Sequence, residues 1–244
     1  MNAKANLLKS ASFSLNVIHQ GSAKLQHAIW QDDRGEWEPY FPNHFIYAFF
    51  AFNSLYNIDW SESYNKGRIV PIAKRPINSN GHIIMVEQTE GYKQDRYLSF
   101  CFKDRQFVSL YKDFFIRCVL KNHSKEEIKG FLSQIQLDKL PNGAIHTERF
   151  VNKFRMAIDD LLFGERFNKE TIEIIIDYIY KVRCNIFHGV KSISEMKKYR
   201  QQDRLIIYAS FVIALNQMVF SYMDYLNQGE SFKESFDNLY KGLM

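Results

Sequence analysis

Three side chains that can act on a phosphodiester lie within six positions of one another: Arg183, Asn185 and His188. A histidine titrates near neutral pH, so it can serve as a general base or a general acid. An arginine stays charged and offers a planar fork of donors to phosphate oxygens. Together they suit attack of an RNA 2′-hydroxyl on the adjacent phosphorus, in which protons move and negative charge gathers on the phosphorane. That reaction needs no metal.

The segment that must position these side chains is predicted to be one amphipathic helix over residues 171–187, ended by Gly189. Its apolar positions recur every three or four residues: Ile172, Ile175, Ile176, Ile179, Val182 and Ile186. Residues five apart on a regular helix point roughly 140° from each other. Arg183 and His188 therefore converge only if the helix ends at the motif or a second subunit supplies one of them. Asn185 and His188, three apart, can share a face, so the amide can orient the ring.

The net charge of the chain, +5, is concentrated around these residues. Between Lys181 and Arg204 the sequence has seven Lys or Arg residues and two carboxylates, an excess equal to that of the whole chain. Such a region attracts a polyanion, and a solvated loop is the alternative explanation. The candidate RNA-binding cations are Lys181, Lys191, Lys197 and Lys198.

Composition predicts a mainly α-helical fold of the all-α class, since 46% of the 244 residues are apolar and only 5 are Pro and 11 are Gly. We expect a single helical domain over residues 1–244, with the motif-bearing core helices at 145–226. Residues 60–140 are expected to form an accessory region. Within it, residues 60–91 look irregular, and Asn80-Gly81 between two β-branched runs predicts a β-hairpin.

Two uncharged stretches, residues 40–58 and 205–223, are long enough to span a bilayer. Both contain several amide and hydroxyl side chains, which favours central helices of a bundle, so no membrane association is expected. Asn53 lies in the first stretch among aromatic residues. A buried amide needs partners, so Asn53 is predicted to form a core hydrogen bond between helices, in a supporting rather than a catalytic role.

Cysteine usage and the absence of a visible leader predict a cytoplasmic protein. The three cysteines, Cys101, Cys118 and Cys184, form no metal-ligand spacing and suggest a reducing compartment. No His pair has a metal-binding context, and there is no dinucleotide or phosphate-loop fingerprint. We therefore expect neither a metal nor another cofactor.

Two stretches resemble the HEPN superfamily. Residues 182–189, Val-Arg-Cys-Asn-Ile-Phe-His-Gly, are similar to the Arg-x4-His motif of that family. Residues 51–56, Ala-Phe-Asn-Ser-Leu-Tyr, resemble the aromatic-rich Ala-x-Asn-x-Leu-Tyr helix of one of its branches. The apolar helix that starts near Asp203 takes the place of the family's last core helix. The resemblance covers residues 40–60 and 145–226.

The resemblance implies a helical bundle that forms a homodimer through the motif helices, so that two Arg/His pairs face one cleft. It further implies a metal-independent endoribonuclease with Arg183, His188 and Asn185 as catalytic residues. Several such enzymes act as toxins or in antiphage defence, which adds an antitoxin or a defence-system protein as a possible partner besides the RNA substrate.

Two other hypotheses stay open. A non-catalytic HEPN module would bind a nucleotide, RNA or a protein, and the modest net charge and Cys184, at the motif's usual polar position, favour it. A plain helical interaction protein would use Arg183 and His188 only in structural hydrogen bonds.

Overall fold

The computed structural model describes residues 30–31, 37–38, 41–135, 144–187 and 199–228, and this part of the chain is mainly α-helical, as the sequence predicts. The helices are α1 (Phe41–Tyr56), α2 (Trp60–Lys66), α3 (Glu90–Cys101), α4 (Arg105–Val119), α5 (Lys125–Ser133), α6 (Ala144–Leu162), α7 (Lys169–Phe187) and α8 (Tyr199–Gln228). The strands form two antiparallel pairs, β1 (Trp30–Gln31) with β2 (Trp37–Glu38) and β3 (Arg75–Ser79) with β4 (His82–Val86).

Helix α8 is the central element, packed mainly against α1 and α4. Two tyrosines of α3 and α4 donate hydrogen bonds to its backbone, and one of its own side chains donates to the backbone of α1. The hydroxyl of Tyr97 donates to the Leu215 carbonyl at 2.8 Å, and that of Tyr111 donates to the Ala214 carbonyl at 2.8 Å. Asn216 of α8 donates through Nδ2 to the Ala48 carbonyl at 3.1 Å. These bonds fix α8 against α3, α4 and α1 inside the core.

The same helix is the one candidate membrane span among the described residues, on length and composition. It covers Gln201–Gln228, and 83% of its most apolar window is buried inside the protein. A helix that is apolar on all sides and buried among other helices is typical of a protein core.

Helix α1 confirms the prediction of a central aromatic helix. Phe45, Phe49 and Phe52 are fully buried, whereas Phe50 is 41% exposed. One stripe of α1 is therefore open, although its sequence is apolar nearly all round. Asn53, one turn after Phe49, is half-buried at the border of this stripe.

The region predicted as irregular contains a short helix as well as the predicted hairpin. Helix α2 has Asp59 as its N-cap, whose side chain accepts from the Glu62 amide, and ends at Gly67 in the left-handed conformation with φ 61°. In the hairpin, Asn80 and Gly81 have φ of 50° and 80°, the positive values that a two-residue type I′ turn requires. The hairpin prediction is confirmed, and the helix was missed because it is only two turns long.

Helix boundaries differ from those predicted where a cap lies between apolar runs. The aromatic and aliphatic spacing of residues 92–120 predicts a largely helical stretch, but the stretch divides at Asp104, which accepts from the amides of Gln106 and Phe107. Ser124 and Glu127, three residues apart, predict a capping box. It is present and opens α5. The buried apolar side chains of α3, α4 and α5 join the same core as those of α1 and α8.

We expect Tyr97→Phe to weaken the dependence of stability on alkaline pH. Burial, followed by the neighbouring Cys101, raises the pKa of Tyr97 well above its usual value of 10. The stability tied to its neutral hydroxyl is complete below pH 10 and is lost as the pH rises through the folded-state pKa, because the unfolded chain releases this proton first. Between the unfolded-state and the folded-state pKa, one buried tyrosine of this kind lowers the free energy of unfolding by about 1.4 kcal/mol per pH unit.

Urea denaturation at several values between pH 8 and pH 11 checks this prediction. Tyr97→Phe should cost about 1 kcal/mol at pH 8, through the lost hydrogen bond to α8, and should show the shallower decline above pH 10. Tyr92→Phe, which changes an exposed tyrosine of the same helix, is the control for stability at pH 8. Equal slopes for wild type and Tyr97→Phe would contradict the prediction.

Candidate functional site

Helix α7 carries the motif and is anchored by the apolar stripe that its sequence predicts. Ile172, Ile175 and Ile179 are fully buried. Tyr178 stacks on Phe154 of α6, with ring centroids 3.9 Å apart. The helix begins two residues earlier than predicted, at Lys169, and Asn168 accepts from the Thr171 amide. This packing fixes the helix up to its last described turn, which holds Arg183.

The guanidinium of Arg183 lies against two aromatic rings. Its Cζ is 5.8 Å from the ring centroid of Phe49 on α1 and 5.9 Å from that of Tyr180, one turn earlier on α7. Its Nη1 is 4.0 Å from Cys184 Sγ. A cation held over aromatic faces within about 6 Å is attracted by their quadrupoles. The half-buried Arg183 side chain is therefore oriented towards α1 before any ligand binds.

A hydrogen-bond network lies close to Tyr180. The hydroxyl of Tyr56 contacts two acceptors, Oδ1 of Asn53 and Oε2 of Glu90. Burial and then Glu90 raise the pKa of Tyr56, so this hydroxyl stays neutral and acts as a donor. Burial, followed by Cys184 and Glu90, raises the pKa of Tyr180, while Arg183 opposes that change. Glu90 and Arg183 thus act on the pKa of the same tyrosine in opposite directions.

The carboxylate of Glu90 also joins this network to a buried lysine. Lys93, only 3% exposed, has its Nζ 3.3 Å from Oε1 of Glu90 and 2.7 Å from Oε1 of Glu87. Burial alone would lower the pKa of Lys93, but its hydrogen bonds and attraction to the two carboxylates outweigh burial, and the pKa is raised. Lys93 therefore stays charged. Its contact with Glu90, which in turn contacts Tyr56, ties the start of α3 to α1.

The structure separates two of the predicted site residues that lie close in sequence. Lys181 extends away from Arg183, with its Nζ 4.0 Å from the ring centroid of Phe150 on α6. Residues two apart on a helix face opposite sides, which is why their neighbours differ. Asn185 is exposed in the last turn of α7.

Asn53 does lie on the Arg183 side of α7, one helical turn after Phe49. Its amide oxygen contacts the hydroxyl of Tyr56, which lies on the same helix, and its supporting role at the site stays a prediction. His188, Lys191, Lys197 and Lys198, as well as Gly189, lie outside the described residues, so their roles stay predictions.

Sequence reasoning missed Tyr56, Glu90 and Lys93 as neighbours of the motif. Tyr56 had a usable signal, since it lies three residues after Asn53 and so shares its helix face. Glu90 and Lys93 had none, because they lie in the region assigned as accessory, far from the motif in the chain. Their approach to α7 is a property of the tertiary fold.

The described part of the chain offers no metal centre and no reactive thiol at its two more buried cysteines. It contains no group of three or more His, Cys, Asp or Glu side chains placed to hold a metal ion. Burial raises the pKa of Cys118 to about 11 and that of Cys101 still further. Both thiols therefore stay protonated near neutral pH, and neither is suited to act as a nucleophile.

An open cleft of about 410 Å³ lies at the opposite end of α7, beside Phe102, Phe167 and Lys169. Lys169 to Arg183 spans about 21 Å of helix. The cations at this cleft include Lys112 and Lys169, which are paired with Glu165 and Asp95. The cleft is thus remote from the motif, and two of its positive charges are balanced by carboxylates.

Family models, curated proteins and solved structures were each compared with the chain, and none matches it. The resemblance to HEPN proteins therefore depends on the sequence motifs given above, and the family assignment stays a prediction.

Proposed function

We propose that this protein is a metal-independent endoribonuclease of the HEPN type that cleaves RNA by attack of a 2′-hydroxyl on the adjacent phosphorus. In this proposal Arg183 binds the phosphate oxygens on which negative charge develops. His188 transfers the protons, and Asn185 orients His188 or contacts the phosphate. Lys191, Lys197 and Lys198 hold the RNA backbone. The protein would act in the cytoplasm as a toxin or in defence against phage.

The placement of Arg183 is the observation that supports this proposal best. Its guanidinium lies in the last described turn of α7, half-buried and held by Phe49 and Tyr180. Donors that are already oriented stabilise a charged transition state without the cost of reorganisation.

A homodimer forms part of the proposal because Arg183 and His188 are five residues apart and would point away from each other on one continuous helix. With Arg183 in a regular turn of α7, the second residue of the pair reaches the same phosphate in one of two ways. Either the backbone departs from the helix after Phe187, or the second subunit provides His188. A defence-system protein or an antitoxin remains the proposed regulator.

Incubation of the purified protein with structured and single-stranded RNA in excess EDTA tests this function. We expect cleavage, with 2′,3′-cyclic phosphate at one new end and a 5′-hydroxyl at the other. A matched substrate with a single 2′-deoxyribose on the 5′ side of the preferred scissile phosphate should resist cleavage there, because the nucleophile has been removed. Products with 5′-phosphate ends, or cleavage at the deoxyribose, would refute the mechanism.

The packing of Arg183 also supports a second candidate, a HEPN module that binds RNA or a nucleotide without cutting it. An arginine that contacts Phe49, Tyr180 and Cys184 has a structural role whether or not it meets a phosphate. Retention of a labelled RNA with no cut product at any protein concentration would favour this candidate over the nuclease.

A further inference from the structure

The β3–β4 hairpin projects from the helices with apolar side chains on both of its faces. Every residue of the two strands is exposed or half-exposed. Ile77 and Ile84 are directly paired and share one face, and Ile83 and Met85 lie on the other. Their exposed fractions reach 77% for Ile83 and 54% for Met85. An isolated two-stranded hairpin is only marginally stable in water, so this one is suited to further pairing.

The turn determines which backbone groups of the hairpin face outward. Ser79 and His82 flank the two-residue turn and exchange both hydrogen bonds, and the bonded pairs then alternate along the strands. Ile83 and Met85 therefore direct their N–H and C=O groups to the outer edge of β4. On β3 the corresponding residues are Asn78 and Pro76. Pro76 has no N–H, so the β3 edge is interrupted while the β4 edge is complete.

The open β4 edge lacks the features that usually block such an edge. Exposed edge strands commonly carry a charged residue or a proline. The sequence of β4, His82-Ile-Ile-Met-Val86, has neither, and His82 is its only titratable residue. No backbone bond to the outer edge of β4 exists among the residues that the structure describes.

We propose that β4 pairs antiparallel with β4 of a second copy of this chain, which gives a four-stranded sheet with β4 strands at its centre and β3 strands at its edges. The outward groups fix the register. Ile83 bonds with the partner's Met85, and Ile84 lies directly opposite the partner's Ile84 across the two-fold axis. Each strand then completes its hydrogen bonds, and the aliphatic side chains cover one another on both faces.

Charge favours a second copy as the occupant. The cations of the hairpin, Lys74 and Arg75, lie on or before β3, whereas β4 is uncharged. In the four-stranded sheet the two β3 strands are three strand spacings apart, about 14 Å, which exceeds the Debye length of about 8 Å at physiological salt. Identical β4 strands thus meet without repulsion. The polar turn of Asn80 and Gly81 makes insertion of the tip into lipid unfavourable.

This interface is independent of the proposed ribonuclease activity and of any dimer formed through α7. Disulfide trapping with the full-length protein tests it directly. In the proposed register the Ile84→Cys thiols of two copies lie in a non-hydrogen-bonded pair, where Cβ atoms are about 4.5–5.5 Å apart. Under mild oxidation we expect Ile84→Cys to give covalent dimers at least about tenfold faster than wild type, whose native cysteines set the background.

Ile77→Cys is the matched control, since Ile77 lies on the same face but on β3, away from the two-fold axis. It should cross-link no faster than wild type. Equal rates for Ile84→Cys and Ile77→Cys would overturn the proposal, as would no cross-linking above the background. Either result would indicate that another part of this chain, RNA or a different protein covers the β4 edge.

A pair of proline substitutions provides a second test without introduced thiols. Met85→Pro removes an outward N–H of β4, and Asn78→Pro removes an outward N–H of the already interrupted β3 edge. Sedimentation velocity should show that Met85→Pro halves the mass of the wild-type assembly and that Asn78→Pro leaves it unchanged. The same mass for wild type and Met85→Pro, with both variants folded by circular dichroism, would refute the pairing.

Discussion

RNA cleavage is expected to fall by about 10²- to 10⁴-fold when His188 is replaced with Ala, because a positioned imidazole contributes that much as a general acid or base. Arg183→Ala is expected to lower the rate by about 10²- to 10³-fold, the usual effect of removing one donor to a developing oxyanion. The two side chains serve one transition state. The double variant should therefore be about as slow as the slower single variant.

The structure indicates how to separate lost catalysis from lost stability in Arg183→Ala. Removing the guanidinium gives up two ring contacts, with Phe49 and Tyr180, each worth about 0.5–1 kcal/mol. That loss is small against the 5–15 kcal/mol by which typical domains are stable, so the variant should remain folded. A rate loss of more than 10² in a protein that melts within a few degrees of wild type is then a loss of chemistry.

Two further variants complete this experiment. Arg183→Lys keeps the charge but lacks the planar fork, so we expect it to lose about tenfold or more in rate. Arg117→Ala removes an exposed arginine of α4 whose hydrogen bond runs to a carbonyl of its own helix, and it should cleave as wild type does. The assignment is wrong if His188→Ala and Arg183→Ala both cleave RNA at the wild-type rate in single-turnover assays with EDTA.

The parts of the fold that sequence predicts well are those with local causes. The apolar stripe of α7, the capping box of Ser124 and Glu127, and the Asn80-Gly81 turn each depend on residues a few positions apart. The break before Asp104 and the short helix α2 were missed. In both places a single aspartate N-cap starts a new helix. The apolar spacing alone predicts one continuous helical stretch around Asp104 and irregular structure after Asp59.

The candidate site could be predicted only in part, because its geometry comes from three separated helices. The order of residues identifies Arg183, and the apolar spacing places it on a helix. Neither can indicate that Phe49 lies under its guanidinium or that Glu90 approaches Tyr180 from α3. The separation of Lys181 from Arg183 does follow from helix geometry. Closeness in the sequence is thus not enough to place the cations near the motif in one patch.

The helix that brings Phe49 and Asn53 to the motif depends on a buried aromatic cluster, and Phe52→Ala should be the most destabilising substitution in it. Phe52 is fully buried. Its ring centroid lies 4.9 Å from that of Tyr56 and 5.5 Å from those of Phe49 and Tyr97. Truncation of a buried Phe to Ala costs about 3–5 kcal/mol, since apolar burial is lost and a cavity remains.

Phe50→Ala is the matched control, because Phe50 is an aromatic residue of the same helix that is 41% exposed. A surface substitution usually changes the free energy of unfolding by less than about 0.5 kcal/mol, so Phe50→Ala should unfold near the wild-type urea midpoint. For a chain of this size, the cost of Phe52→Ala corresponds to a melting temperature lower by about 6–20 °C. Similar shifts for the two variants would contradict the placement of α1, whose two sides differ because only one faces α8 and α3. If Phe52→Ala remains folded at the assay temperature, its RNA cleavage should fall less than that of Arg183→Ala, because Phe52 supports Phe49 without touching the guanidinium itself.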